Sequence, residues 1–206
     1  MATSSITTDI VFGTKGDVNK FLKAIKKSQG FCRKHTFMSS PCQTIPREQI
    51  KDYFKDFGEK SMATIFDVAK YILRKKGKLS TIKLQKLCYY AQAWSLVWDD
   101  CPLFEEDFEA WANGPMCKEL FEVTKGQFWA TEQDYEGDTE CLNDNQKDTI
   151  NVVLDYYGGK SSYWLSELSR KEAPWKEARE GINNGECSSN IITKDSIALY
   201  YSSLSE

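Results

Sequence analysis

The feature that most constrains the fold is the run from Thr81 to about Trp98. Leu84, Leu87, Cys88, Ala91, Trp94, Ser95 and Trp98 recur at three- and four-residue spacing, with Ser80 placed to cap the start. That period puts the large side chains on one side of a helix, which can be stable only when other elements cover it. The polar positions Lys83, Gln85, Lys86 and Gln92 fall between them. Gln85 and Gln92 are seven residues apart and share a face, so they either present a polar surface or bond neighbouring backbone.

Around this helix the spacing predicts others. Thr64 with Asp67 resembles a capping box, followed by Ile65, Val68, Ala69 and Ile72 on one side and Gly77 as a stop. Gly114-Pro115 predicts a helix start, with Met116, Leu120, Phe121 and Val123 inward. Asp144 opens a helix through Ile150, Val153, Leu154 and Tyr157. Ser162, Pro174 and Thr193 begin three more. Residues 127–142 carry scattered acids, an aromatic pair and a glycine, and read as a short hairpin or exposed loop. The fold class is therefore mainly α, a compact domain of about eight helices with a small β hairpin or loop insertion and a small N-terminal α/β extension.

Charge divides the chain. Residues 1–61 hold 11 Lys/Arg against 6 Asp/Glu, a net of +5, and residues 62–206 hold 16 against 24, a net of −8. The front piece contains a short β-branched run, Ile6 to Phe12, and two amphipathic helical patterns. Lys20, Lys23 and Lys27 lie in a basic patch with Lys26, Arg33 and Lys34, and Tyr53 and Phe57 belong to the second apolar stripe. The boundary expected is 1–61 as a basic extension and 62–206 as the main domain. The overall charge of −3 argues against nucleic acid as the partner, although the basic patch alone could attract phosphate.

The chemistry-bearing residues form no familiar constellation. The single histidine, His35, lies near Cys32 and Cys42 in a C-x2-H-x6-C spacing, one ligand short of a structural zinc site. Cys32 and His35 could make a thiol hydrolase only with an orienting group that the sequence does not supply. Glu105, Glu106, Asp107 and Glu109, with Asp99 and Asp100 nearby, read as a solvated face or part of a partner-binding surface rather than a catalytic pair. Gly158-Gly159-Lys160-Ser161-Ser162 resembles a phosphate cradle only superficially, since it lacks the upstream glycine spacing. The reading expects no enzyme activity, cofactor or metal. The seven cysteines without a CxxC pair, the lack of a secretory signal and the lack of an apolar stretch of 18 residues predict a cytoplasmic protein off the membrane.

Five segments together carry a resemblance: Ile65-Phe-Asp-Val-Ala-Lys-Tyr71, Lys83-Leu-Gln-Lys-Leu-Cys-Tyr-Tyr-Ala-Gln92, Ala110-Trp-Ala-Asn-Gly-Pro115, Leu165-Ser-Glu-Leu-Ser169 and Pro174-Trp-Lys-Glu-Ala-Arg179. In order and spacing they resemble the SocA-like, or Panacea, domain, also labelled phage-associated or GepA-like, over about residues 62–204. The resemblance implies a compact helical domain. It further implies an antitoxin of bacterial or prophage toxin–antitoxin pairs, which neutralises its toxin by direct contact. At least one member acts instead as an adaptor to a cytosolic protease. The family usually carries a histidine shortly before its Pro-Trp, where this chain has Arg170. Arginine keeps its charge and cannot serve as an acid or a metal ligand. Front additions often help decide which toxin is bound, so residues 15–57 are the favoured specificity element. The candidate partner-binding residues are Lys20, Lys23, Lys27, Tyr53, Phe57, Gln85, Gln92, Trp111 and Arg170. Two alternatives stand beside the antitoxin reading: a phage-encoded protein that inhibits or redirects a host defence protein, and the thiol hydrolase.

Overall fold

A computed structural model describes residues 63–183 and 185–205. The expected N-terminal extension, with Lys20, Lys23, Lys27, Tyr53 and Phe57, and the Cys32/His35/Cys42 grouping lie outside the described residues. Seven α-helices and five short strands make up the rest. None of these helices is long and apolar enough to cross a membrane.

Helix α1 (Ile65–Lys76) begins at the expected cap. Thr64 and Asp67 complete a capping box, and Gly77 ends the helix at a φ of 72°. Ile65, Val68, Ala69 and Ile72 all point into the core. Strand β1 (Leu79–Ser80) leads into α2 (Thr81–Trp98), whose N-cap Ser80 accepts the Lys83 N–H. Every side chain of α2 from Leu84 to Ser95 is buried, the polar ones included. So α2 is not a one-sided surface helix. It is the axis of the fold, with α1 (Ile65–Lys76), α4 (Asp144–Tyr157), α5 (Ser162–Lys171) and α7 (Lys194–Ser205) packed around it.

The segment after α2 departs from the sequence reading. Gly114-Pro115 does not open a helix. Strands β2 (Phe108–Trp111) and β3 (Gly114–Met116) form a hairpin, with Ala110 opposite Pro115 and Trp111 opposite Gly114. Proline is tolerated there because β3 is an edge of the three-stranded sheet β3-β2-β5, whose third strand is Ile191–Ile192. Phe108 and Ala110 point inward and alternate with Glu109 and Trp111. Helix α3 (Lys118–Val123) starts only after the strand.

Residues 127–142 hold no local hairpin. Strand β4 (Trp129–Ala130) pairs instead with β1, far back in the sequence. A short 3-10 turn (Glu132–Asp134) follows, closed by a Thr131–Asp134 capping box. Helix α4 has a reciprocal cap between Asn143 and Gln146. The cap of α5 is Ser161, one residue before the expected Ser162. Pro174 sits in the first turn of α6 (Ala173–Ala178), as the sequence predicts.

Candidate functional site

Of the expected site residues, Gln85 and Gln92 are the clearest corrections. Both are buried, at 2% and 1% exposure, so neither amide faces a partner. Gln85 donates from Nε2 to the Cys117 carbonyl at 2.9 Å and accepts the Cys117 N–H at 2.9 Å. Gln92 does the same for a second loop. Its Nε2 donates to the Phe104 carbonyl at 2.9 Å, and its Oε1 accepts the Leu103 and Phe104 N–H groups at 2.8 and 3.3 Å. Each side chain stands in for the neighbouring strand that these loop backbones lack.

Lys86 lies between them and is wholly buried. Its Nζ donates to the Pro115 carbonyl at 2.6 Å. Burial, with the Arg170 guanidinium as a smaller like charge, pushes this amine down to about 7. Arg170 itself is half-exposed and pairs with Glu167 one turn back on α5. Ser169 and Lys86 both crowd the Cα of Gly114, where an added Cβ would lie 2.7 Å from Ser169 Oγ and 3.0 Å from Lys86 Nζ.

Trp111 is a hinge pin between the hairpin and its surroundings. Its indole N–H donates to Glu109 at 2.7 Å, and its ring stands edge-on to Phe121 at 4.9 Å. Its carbonyl accepts the Trp175 indole N–H at 2.9 Å. Arg179, also buried, donates to the Ala110 carbonyl at 2.7 Å and to the Asn183 and Glu186 carbonyls. The Ala-Trp-x-x-Gly-Pro and Pro-Trp pieces of the sequence are thus two sides of one junction.

The acidic run does form a surface. Glu105, Glu106, Asp107, Glu109 and Glu119 line an open cleft of about 490 Å³ together with Ile191, which is 53% exposed. Glu106 accepts the Ile65 N–H at 3.1 Å at the start of α1, and Asp107 pairs with Lys194 at 2.7 Å. Glu119 adds a carboxylate from α3 that the sequence run does not contain. A second exposed feature is the aromatic pair that the sequence reading noted but did not name as a binding candidate: Phe128 and Trp129, 65% and 49% exposed, stand edge to face at 4.8 Å, with Lys78 over the Trp129 ring. Their adjacency in a stretch without apolar period was the available signal.

Burial pushes Cys117 up to about 12 and Cys141 up to about 11, so both stay thiols near neutrality. Among the described residues no group of three or more His, Cys, Asp or Glu side chains is placed to hold a metal ion.

Most of the axial helix α2, the glutamine-clamped loops and the Trp111–Trp175 junction fall within one stretch that resembles a known family. Residues 84–176 match the family described as Antitoxin SocA-like, Panacea domain. Among curated proteins and among solved structures, nothing matches the chain. The segment matched runs from inside α2 to inside α6, and over that stretch the chain is similar to the Panacea domain of SocA-like antitoxins.

Proposed function

We propose that this protein is an antitoxin that neutralises a cognate toxin by direct protein contact. The match of residues 84–176 to the SocA-like antitoxin family carries the reading. Two surface features suit it. The five carboxylates around the cleft raise a negative field that speeds encounter with a basic partner and sets its orientation. Phe128 and Trp129 offer exposed aromatic area of the kind that anchors protein interfaces. Gln85 and Gln92 drop out of the partner surface, because their amides are consumed by the domain's own backbone. The basic segment 1–61 is the proposed determinant of which toxin is bound.

The test is coexpression with genes flanking its own. A partner that arrests growth alone, copurifies with this chain in fixed stoichiometry and is harmless in its presence supports the proposal. Loss of rescue on deleting residues 1–61, with the helical domain still folded by circular dichroism, assigns specificity to that segment. Undiminished rescue removes the assignment. A partner whose level drops when this chain is present is being delivered to proteolysis, and one whose level holds is being blocked.

A further inference from the structure

Helix α7 packs on α2, with Tyr200 and Leu204 partly buried against the core. Among its described side chains only Ile197 and Tyr201 are fully buried, and Leu199 is 77% exposed. Tyr201 makes the larger contact. Its ring meets those of Tyr89, Tyr90 and Trp94 edge-on at 6.3, 6.3 and 5.3 Å. Its O–H donates to Glu172 Oε2 at 2.7 Å.

Glu172 is an unusual acceptor. It is wholly buried at the junction of α5 and α6, and its other oxygen accepts the Tyr90 O–H at 3.2 Å. Tyr90 in turn is stacked on Tyr157 from α4 at 4.1 Å. No lysine or arginine among the described residues forms an ion pair with Glu172. Arg170 on α5 pairs with Glu167, Arg179 beyond α6 is bonded to backbone carbonyls, and Lys86 on α2 is bonded to Pro115. Lys171 and Lys176 are exposed. The titratable groups that face the carboxyl are phenols: Tyr89 and Tyr90 from α2, Tyr157 from α4, Tyr200 and Tyr201 from α7. Burial holds all five protonated. A carboxylate placed there has two hydrogen bonds and no counter-charge in a low dielectric, so the neutral acid is the form that fits.

We propose that Glu172 is a proton-operated latch on α7: the neutral acid keeps Tyr201 seated on α2, and ionisation lets water in and releases the helix. Burial, opposed in part by the Tyr201 and Tyr90 hydrogen bonds, raises this group from 4.5 to about 8. Once α7 lifts, water returns the carboxyl toward its ordinary value. The closed state therefore keeps a proton that the open state gives up. Opening becomes easier by about tenfold per pH unit from about pH 4.5 to about pH 8, and is independent of pH above that.

Hydrogen exchange on the full chain, corrected for the intrinsic rate at each pH, tests this. The amides of α7 should exchange before those of α2, and their protection should fall by about tenfold per pH unit in that window. Glu172→Gln keeps an acceptor but cannot ionise, so its α7 protection should be flat with pH. Exchange of α7 only together with α2, or a slope unchanged in Glu172→Gln, overturns the latch. A second measurement needs no variant. Infrared spectra of wild-type protein carrying carboxyl-labelled glutamate should show a protonated-acid stretch at neutral pH that disappears near pH 8. Absence of that band at neutral pH overturns the proposal as well.

Discussion

At the scale of single residues, the polar side chains of α2 carry more of the architecture than their number suggests. Gln85 satisfies both backbone groups of Cys117, and no other described side chain is bonded to them. Gln85→Leu keeps the volume but leaves the buried Cys117 N–H unpaired, while the Cys117 carbonyl retains only the Phe121 N–H at 3.1 Å. It should lower unfolding free energy by roughly 1–3 kcal/mol, measured by urea denaturation with an unchanged slope. Surface substitutions such as Lys70→Ala should stay within about 0.5 kcal/mol. The sequence shows these glutamines only as polar positions on a periodic helix, open to either a surface or a backbone role. The period locates the face. It does not tell what covers it, because the covering segments, Leu103–Phe104 and Pro115–Cys117, have no helical period of their own. The burial of Lys86 was hidden for the same reason.

At the scale of elements, the hairpin of β2 and β3 links the sheet to α2 and α5. Gly114 makes the approach possible. Its φ of 96° suits glycine, and a Cβ would collide with Ser169 Oγ while pressing on Lys86. Gly114→Ala should therefore cost at least about 2 kcal/mol, combining backbone strain with displaced side chains. Calorimetry would read it as a lower Tm, and an Asn113→Ala control in the same turn should move Tm little. The helices were legible because their caps and stripes are local: Thr64–Asp67, Ser80 and the apolar run of α2 stand where the spacing puts them. The sheet was not. Gly-Pro is a fair helix opener, and only the pairing of Ala110 with Pro115 makes it an edge strand. The alternation Phe108-Glu109-Ala110-Trp111 was the clue, but four residues of alternation are outweighed by an adjacent acidic run. Strand β4 was harder still, since its partner β1 lies about fifty residues away.

At the scale of the whole molecule, two buried ionisable groups set opposite slopes on stability. Glu172, raised from 4.5 to about 8, contributes stability that is complete at low pH and is lost as pH rises through that interval. Lys86, lowered from 10.5 to about 7, imposes its full penalty below pH 7 and is relieved as pH climbs toward 10.5. Their joint contribution is least favourable between about pH 7 and about pH 8. Denaturation series across pH should lose the falling limb in Glu172→Gln and the rising limb in Lys86→Met. The family segments visible in the sequence coincide with this interior: the Tyr-Tyr of α2 supplies the aromatic hub, and Trp111 and Trp175 close the junction beside it. The acidic cleft, by contrast, needed Glu119 and Ile191 brought from other elements. The same hub has a consequence for biosynthesis. Tyr89 and Trp94 on α2 rest against Tyr201, so more than a hundred residues must be translated after the axial helix before its aromatic side is covered. A ribosome-bound chain halted short of α7 leaves the part of that side that faces Tyr201 bare, exposed to chaperones and proteases. The working supply of this protein is thereby tied to synthesis that has passed α7.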